Sequence, residues 1–187
     1  MHWEGIKWVI NYLGCTKNLW LTFGENKKTL LEGFTNADWA SQAHRHSVSG
    51  FCFHHRQGAI FWSSKKQNIV ALSSTKLKYI VLTHVVKEAI WLRMFINEVV
   101  GRELKLLTVS GDNQSSLAWK KTTSSTWEPS TLTYFITSYM KHWKMEILKW
   151  YIPTEDDIVD IFNKSLAKLK LSCFVGMLGL RELDEWR

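Results

Sequence analysis

The first third of the chain changes from a helical to a strand-like hydrophobic period. Gly14 follows five apolar residues that share one helical face, and it is the expected end of that helix. The five are Trp3, Ile6, Val9, Ile10 and Leu13. The stretches LWLTFG and TLLEGFTNADWA then predict two strands, and a short turn at residues 56–58 joins two more within SGFCFHHRQGAIFWSSKK. This part of the sequence therefore predicts a helix followed by an antiparallel meander.

A long helix comes next, from about Thr75 to Val99. Ser73 and Ser74 precede it and are candidates for its N-cap. Six residues that follow the helical period form its expected buried face: Ile80, Thr83, Val86, Ile90, Met94 and Ile96. Trp62 and Trp91 also fall on apolar faces, which predicts that they belong to the core.

The rest of the chain alternates strands with helices. The stretch LKLLTVSGDNQSSLAW predicts a buried strand, a tight turn at residues 111–112 and a helix that begins near Gln114. After the loop-like TTSSTWEPS we expect a third helix, the strand EILKWYIP and a helix from about Asp156 to Leu166. This order predicts an α/β fold whose strand ends gather along one edge of the sheet.

Charge and composition narrow the classes of partner. The 187 residues carry 24 Lys and Arg against 17 Asp and Glu, a formal charge of +7, which favours a polyanion such as nucleic acid. The three widely spaced cysteines fit a reducing compartment, so we expect an intracellular protein, cytoplasmic or nuclear. No run approaches the roughly 18 apolar residues of a membrane span, and the start lacks the features of a signal peptide. We therefore expect no membrane association.

Three aspartates fall where the predicted strand ends and helix starts meet. Asp38 and Asp112 each end a strand, and Asp160 lies in the first turns of the last sheet-associated helix. Hydrolysis of phosphodiesters by two hard metal ions needs such a group of carboxylates. Each aspartate could instead form a turn or cap a helix, because these are the commonest roles of aspartate at strand ends.

Several motifs give the sequence a recognisable ancestry. ADWA, SGFCF, WSSKKQNIVALSST, KEAIWLR, DNQSS and YIPTEDDIVDIFNKSL occur in this order. They closely resemble the ribonuclease H domain at the end of copia-type retrotransposon polyproteins. By the same resemblance, residues 1–30 are similar to the end of the segment that connects reverse transcriptase to the ribonuclease H domain. Residues 31–167 are similar to the ribonuclease H domain itself, and 168–187 to a C-terminal helical tail.

The resemblance implies a fold, an activity and partners. The fold is ribonuclease H-like, with a five-stranded mixed sheet flanked by helices, an N-terminal helix and the helical tail. The activity is cleavage of RNA in RNA–DNA hybrids with Mg²⁺ or Mn²⁺. The implied partners are a hybrid or other nucleic acid and the reverse transcriptase domain of the same polyprotein.

The resemblance also assigns roles to residues. Three members of the acidic metal-binding tetrad map onto Asp38, Asp112 and Asp160, and we expect their carboxylates to converge. The nucleic-acid contacts map onto Lys65, Lys66, Asn113 and Gln114. The lysine pair could instead be an ordinary solvated pair on the surface.

The fourth position of the tetrad, a glutamate in the family, holds Lys78. Two unit charges 4 Å apart interact by about 4 kcal/mol at an effective dielectric constant of about 20, so an ammonium group here opposes a divalent ion. Lys76, which replaces a second family glutamate, lies about 200° away on the helix and should face outward. We therefore expect impaired cleavage, which Lys78→Glu should partly restore if the damage is confined to this ligand.

Other readings of the sequence remain open. Thr131 and Leu132 replace a lysine and a histidine of the family pattern, so a basic strip that would contact nucleic acid is neutral here. The chain could thus be a non-catalytic nucleic-acid-binding domain or an inactive, mutation-marked transposon remnant. A group of histidines and one cysteine resembles a zinc site in composition but lacks finger spacing: His44, His46, Cys52, His54 and His55. The eleven tryptophans could also stack on unpaired bases.

Overall fold

The predicted α/β fold is confirmed in a computed structural model, which describes residues 2–24, 31–38, 47–67, 74–101, 107–111, 147–153 and 155–182. The described elements are, in chain order, α1 (His2–Thr16), β1 (Leu19–Leu21), β2 (Leu31–Asp38), β3 (Val48–His55), β4 (Gly58–Lys66), α2 (Ser74–Val100), β5 (Leu107–Gly111), β6 (Ile147–Tyr151), α3 (Asp160–Asn163), α4 (Lys168–Met177) and β7 (Leu180–Glu182). The helices predicted between residues 112 and 146 lie outside the described residues.

The main sheet is mixed and has five strands in the order β4-β3-β2-β5-β6. The first three strands are antiparallel, whereas β5 is parallel to both β2 and β6. The predicted hairpin joins β3 to β4 through Arg56 and Gln57, whose φ angles of 50° and 66° are both positive. Such two-residue turns match the right-handed twist of the flanking strands. The antiparallel meander predicted from the sequence is therefore present.

Helix α2 covers one face of the main sheet. The apolar side chains of this layer include Leu31, Phe53, Val81, Val85, Val86, Ala89, Ile90 and Val109. The expected helix, Thr75 to Val99, differs from α2 by one residue at each end. Among the expected buried residues of α2, Thr83, Val86, Ile90 and Ile96 are buried.

Three residues predicted to be buried are exposed, and those predictions were wrong. The exposed fractions are 48% for Met94, 53% for Trp91 and 57% for Trp62. Trp91 lies at the margin of the layer between α2 and the sheet, and its ring centroid is 5.8 Å from that of Phe61 on β4. Its ring also stacks on that of Phe95, with centroids 5.6 Å apart.

The opposite face of the main sheet is covered by α3 and α4. Its buried cluster contains Cys52, Ala59, Ile158, Val159, Phe174 and Leu178. Helix α3 has four residues, fewer than the predicted span from Asp156 to Leu166. The Asp157 carboxylate accepts a hydrogen bond from the Val159 backbone N–H at 3.1 Å, and such side-chain bonds favour turns over helix. The described residues just before Asp160 accordingly form turns.

The N-terminal and C-terminal segments meet in a second, two-stranded sheet. Strand β1 pairs antiparallel with β7, with Leu19 opposite Glu182. Gly179 has a φ of 83°, a left-handed conformation that glycine adopts readily, and it lies between α4 and β7. Helix α1 continues through Gly14 to Thr16, so the predicted helix end was wrong, and none of its residues is buried.

The described residues also show which helices are long and apolar, and the state of the three cysteines. No helix in these ranges has both the length and the apolar character required to cross a bilayer. Cys15, Cys52 and Cys173 are free thiols.

Candidate functional site around Asp160

Strand β2 presents its polar side chains on the face covered by α3 and α4. Side chains alternate between the two faces of a strand, and Leu31 and Ala37 belong to the layer under α2. Asn36 and Asp38 therefore share the other face of the sheet with Phe34, which packs in the second cluster. Asn36 is buried and Asp38 is half-buried.

Gly50 of β3 allows α3 to approach the sheet closely. It lies opposite Asn36 in the β2–β3 register. A Cβ atom at this position would lie 2.6 Å from Asn163 Oδ1 and 2.9 Å from Val159 Cγ1, closer than real Cβ contacts. The missing side chain thus lets the helix that begins at Asp160 rest directly beside Asn36.

A short hydrogen bond joins Asn36 to Asp160. The Asn36 side-chain Nδ2 donates to Asp160 Oδ1 at 2.6 Å, and both residues are buried. The Asn36 Oδ1 atom accepts from the Ala37 backbone N–H at 2.7 Å. The carbonyl side of the amide is therefore engaged by the backbone, and its N–H side faces the carboxylate.

Two lysines also contact the Asp160 carboxylate. Lys164 Nζ donates to Oδ1 at 2.7 Å from the end of α3, and Lys170 Nζ lies 3.5 Å from Oδ2 and comes from α4. The side chain of Asp160 is 3% exposed, whereas each lysine side chain is 35% exposed. A buried carboxylate is thus neutralised by two half-buried ammonium groups.

These donors do not fit a divalent cation at Asp160. Mg²⁺ requires oxygen ligands, but the polar side-chain atoms that contact the carboxylate among the described residues are an amide nitrogen and two ammonium nitrogens. Within the ranges that the structure describes, no group of three or more His, Cys, Asp or Glu side chains could hold a metal ion.

The other predicted metal ligands are only partly described. Asp38 ends β2, with its backbone opposite Val48. Strand β5 ends at Gly111 beside Thr35, and Asp112, Asn113 and Gln114 lie outside the described residues. The expected convergence of the three carboxylates stays a prediction.

Lys78 belongs to α2, but its side chain, like that of Lys76, lies outside the described part of the chain. Lys65 and Lys66 are exposed at the end of β4. Ser64 Oγ donates to the Phe162 carbonyl at 2.7 Å, which ties this end of β4 to α3. Both lysines are therefore close in sequence to a strand position that contacts the helix of Asp160.

The histidine and cysteine group does not form a metal site in its described part. His44 and His46 lie outside the described residues, and Cys52 and His54 are buried on the same face of β3. Burial raises the pKa of the Cys52 thiol from 9.0 to about 12, which disfavours the thiolate that binds metals. Burial also lowers the pKa of His54 from 6.5 to about 4.

Asn36, Lys164 and Lys170 were not predicted as neighbours of Asp160. The spacing of Asp160 and Lys164, four residues apart on a helix, is a signal that could have indicated their ion pair. Asn36 and Lys170 come from other elements, so only the fold brings them to this carboxylate.

Comparison with known proteins agrees with this architecture. No family model matches the chain. A retrovirus-related Pol polyprotein from transposon TNT 1-94 of Nicotiana tabacum is 33% identical over 183 residues, which are 96% of this chain and 14% of the polyprotein. The Pol polyprotein from transposon RE2 of Arabidopsis thaliana is 24% identical over the same share of the chain, which spans 12% of it. The chain thus corresponds to a small part of each relative.

Solved structures show the same fold. LC11-RNase H1, isolated from compost, has a TM-score of 0.51 and 19% identity, and the match covers 72% of this chain and 93% of that one. The RNase H domain of a Mycobacterium tuberculosis protein has a TM-score of 0.51 and 10% identity, covering 78% and 97%. The mixed sheet and its flanking helices define a ribonuclease H-like domain. More particularly, the chain is the ribonuclease H-like domain of a copia-type retrotransposon polyprotein.

Proposed function

We propose that this domain binds RNA–DNA hybrids and that its cleavage of the RNA strand is impaired. The chain covers 14% of the tobacco polyprotein, and we include a reverse transcriptase domain of the same polyprotein as a partner in this proposal.

Charge and fold support hybrid binding. The formal charge of +7 favours a polyanion, and Lys65 and Lys66 are exposed on β4 at the end that contacts α3. LC11-RNase H1 has a solved structure in complex with an RNA/DNA hybrid, with a TM-score of 0.52 to this chain. Lysines on such a surface would contact the phosphate backbone without reading its sequence.

Impaired cleavage rests on one observation, the ion-paired state of Asp160. Its carboxylate is held by the Asn36 amide, Lys164 and Lys170, none of which offers an oxygen atom to a metal ion. Lys78 adds a cation at the position of the family glutamate. Ribonucleases H generally use divalent metals, so both features oppose the chemistry.

The proposal is tested with a labelled RNA–DNA hybrid in the presence of Mg²⁺ or Mn²⁺. We expect binding with little or no cleavage. Lys65→Gln with Lys66→Gln should weaken binding about tenfold or more and reduce its salt dependence, because each lost phosphate contact lowers the slope by about one. Lys17→Gln with Lys87→Gln removes the same charge from exposed positions elsewhere and should have a much smaller effect.

Cleavage by the unmodified chain at the level of an intact ribonuclease H would contradict the impairment. Absence of hybrid binding in the folded protein would instead favour an inactive remnant.

A repair series separates the two obstacles to cleavage. The single change Lys78→Glu should restore little, because Asn36 and the two lysines still hold Asp160. Adding Lys164→Met and Lys170→Met removes the two cations that hold Asp160, and we expect more cleavage from the combined changes than from Lys78→Glu alone. Lys76→Glu is the matched control in the same helix turn. Recovery by Lys76→Glu alone would show that the wrong lysine was assigned.

A further inference from the structure

The carboxylate of Asp160 lies where α3, α4 and β2 meet, and its charge is almost completely buried. We propose that Lys164 and Lys170 act as permanent internal counter-ions of Asp160, so that this corner of the fold is complete without a divalent cation. The cluster of Asn36, Asp160, Lys164 and Lys170 would then be a structural ionic centre, whether or not the chain binds a hybrid.

Burial explains why Asp160 needs these partners. An ionised carboxylate removed from water is strongly unfavourable unless it is paired and hydrogen-bonded. Asp160 is 2% exposed, and the Asn36 amide and Lys164 supply two short contacts to Oδ1 at 2.6 Å and 2.7 Å. Lys170 approaches Oδ2 at 3.5 Å, so both carboxylate oxygens have a polar neighbour.

The two ammonium groups are held from different directions. Lys164 lies four residues after Asp160 at the end of α3, the spacing that favours an ion pair on a helix. Lys170 belongs to α4, and its Nζ also lies 5.1 Å from the centre of the Phe174 ring. Phe174 is buried against the sheet, so the helix that carries Lys170 is fixed by packing. Asp160 therefore joins α3 to α4 as well as to β2.

The orientation of the Asn36 amide keeps its oxygen atom from facing Asp160. Its Oδ1 atom is occupied by the Ala37 N–H, which leaves the amide N–H side for Asp160. Rotating the amide would face two oxygens toward each other and break both hydrogen bonds. The formal charge of the cluster is +1, since one carboxylate faces two lysines. A divalent cation bound to Asp160 would lie close to both ammonium groups and would be repelled by them.

The first experiment compares the unfolding temperature of the full chain with and without metal. Mg²⁺ and Mn²⁺ are added at millimolar concentration, and the reference contains EDTA with NaCl at matched ionic strength. We expect no metal-dependent shift attributable to Asp160, so the unmodified chain and Asp160→Asn should respond equally. A saturable stabilisation by either ion that disappears in Asp160→Asn would overturn the proposal.

A second experiment measures the lysines directly. Lys164→Met and Lys170→Met should each lower the unfolding temperature, and Lys168→Met, an exposed position on α4, should not. The same lysine changes made in Asp160→Asn should cost much less, because the charge they neutralise is gone. This non-additivity isolates the ion pairs from the loss of packing. Equal effects of the lysine changes in the unmodified chain and in Asp160→Asn would contradict the proposal.

The double change Lys164→Met with Lys170→Met gives a distinct prediction. It leaves Asp160 buried without its counter-ions, so Mn²⁺ should now raise the unfolding temperature where it had no such effect before. If this variant does not fold without metal, recovery of folding on addition of Mn²⁺ is the measurement. A folded variant that ignores Mn²⁺ would contradict the idea that the lysines occupy the place of a cation.

Discussion

His54 shows how the sheet controls the charge of a single side chain. It is 4% exposed on β3, and its ring lies 5.0 Å from that of Phe34. Its Nε2 atom has no hydrogen-bond partner among the described residues. Because burial disfavours the charged imidazolium, the pKa of His54 falls from 6.5 to about 4. The folded protein therefore keeps this histidine neutral.

The lowered pKa of His54 predicts a loss of stability in mild acid. Between pH 6.5 and about 4 the unfolded chain binds a proton at His54 that the folded chain does not. The contribution of neutral His54 to the free energy of unfolding should be fully present above pH 6.5. It should be lost as the pH falls toward about 4, at up to about 1.4 kcal/mol for each pH unit. Urea unfolding at several pH values measures this.

Two variants provide the control for the acid prediction. His54→Phe removes the titrating group but keeps an aromatic ring, so its stability should depend less on pH in this range. His84→Gln changes an exposed histidine of α2 and should leave the pH dependence unaltered. A His54→Phe profile parallel to that of the unmodified protein would contradict the prediction.

Individual residues of the site could be predicted only where a local motif or a helical spacing indicated them. Asp160 was found through its motif, and Lys164 shares a helix with it. The contact of Asn36 with Asp160 spans 124 positions in the sequence, so no local spacing indicates it. The amide itself matters, because a carboxylate at the same place would oppose Asp160 where Asn36 now donates.

At the scale of elements, the close approach of α3 to β3 depends on Gly50. We expect Gly50→Ala to lower the free energy of unfolding by about 1–3 kcal/mol, the usual cost of an added methyl group in a packed interior. Its Cβ would meet Val159 Cγ1 at 2.9 Å and Phe162 Cβ at 3.2 Å, and both belong to the segment around α3. Chemical denaturation provides the measurement.

Gly5→Ala in α1 is the matched control for Gly50→Ala, since nothing lies within 4 Å of the added carbon. Alanine is the better helix former by about 1 kcal/mol, so this change should be neutral or slightly stabilising. Equal effects of the two substitutions would show that α3 does not rest on Gly50 as described.

Elements with a regular pattern were predicted well. The long apolar period located α2 to within one residue at each end, and the strand alternation located the β3–β4 hairpin. Helix α3 was predicted too long because the hydrogen bond from Val159 to Asp157 is a local alternative to helix that composition does not show. The prediction that the first helix ends at Gly14 was wrong, because an exposed helix tolerates glycine at a modest cost in stability.

For the whole molecule, the two terminal segments contribute unequally to stability. Phe174 and Leu178 are buried in the cluster with Cys52 and Ile158. Burying one such apolar side chain stabilises by about 1.5–3 kcal/mol, a large part of the roughly 5–15 kcal/mol of a typical domain. Helix α1, in contrast, has no buried residue.

These differences predict opposite outcomes of two truncations. A chain that ends at residue 167 should lose cooperative thermal unfolding, because it lacks α4 and β7. A chain that begins at residue 17 should unfold at nearly the temperature of the full protein. Calorimetry distinguishes the cases, and a stable chain ending at residue 167 would mean that the packing of Phe174 is dispensable.

The predicted boundaries at residues 31 and 167 follow from family resemblance and stay predictions. Phe174 and Leu178 nevertheless pack on the main sheet, and β7 pairs with β1. The sequence could not indicate this packing, because the apolar residues of α4 do not form a pronounced helical face. Which of them are buried depends on the surface formed by β3 and the residues before α3.

The pairing of β1 with β7 has a consequence for folding during synthesis. Ribosomes add about 5–20 residues per second, and the N-terminal part of a chain emerges first. Strand β1, with Trp20 and Leu21 exposed even in the folded protein, must wait for β7 until translation has passed Glu182. Closure of this small sheet is therefore a late step, and until then Trp20 and Leu21 lack the strand partner that they have in the folded protein.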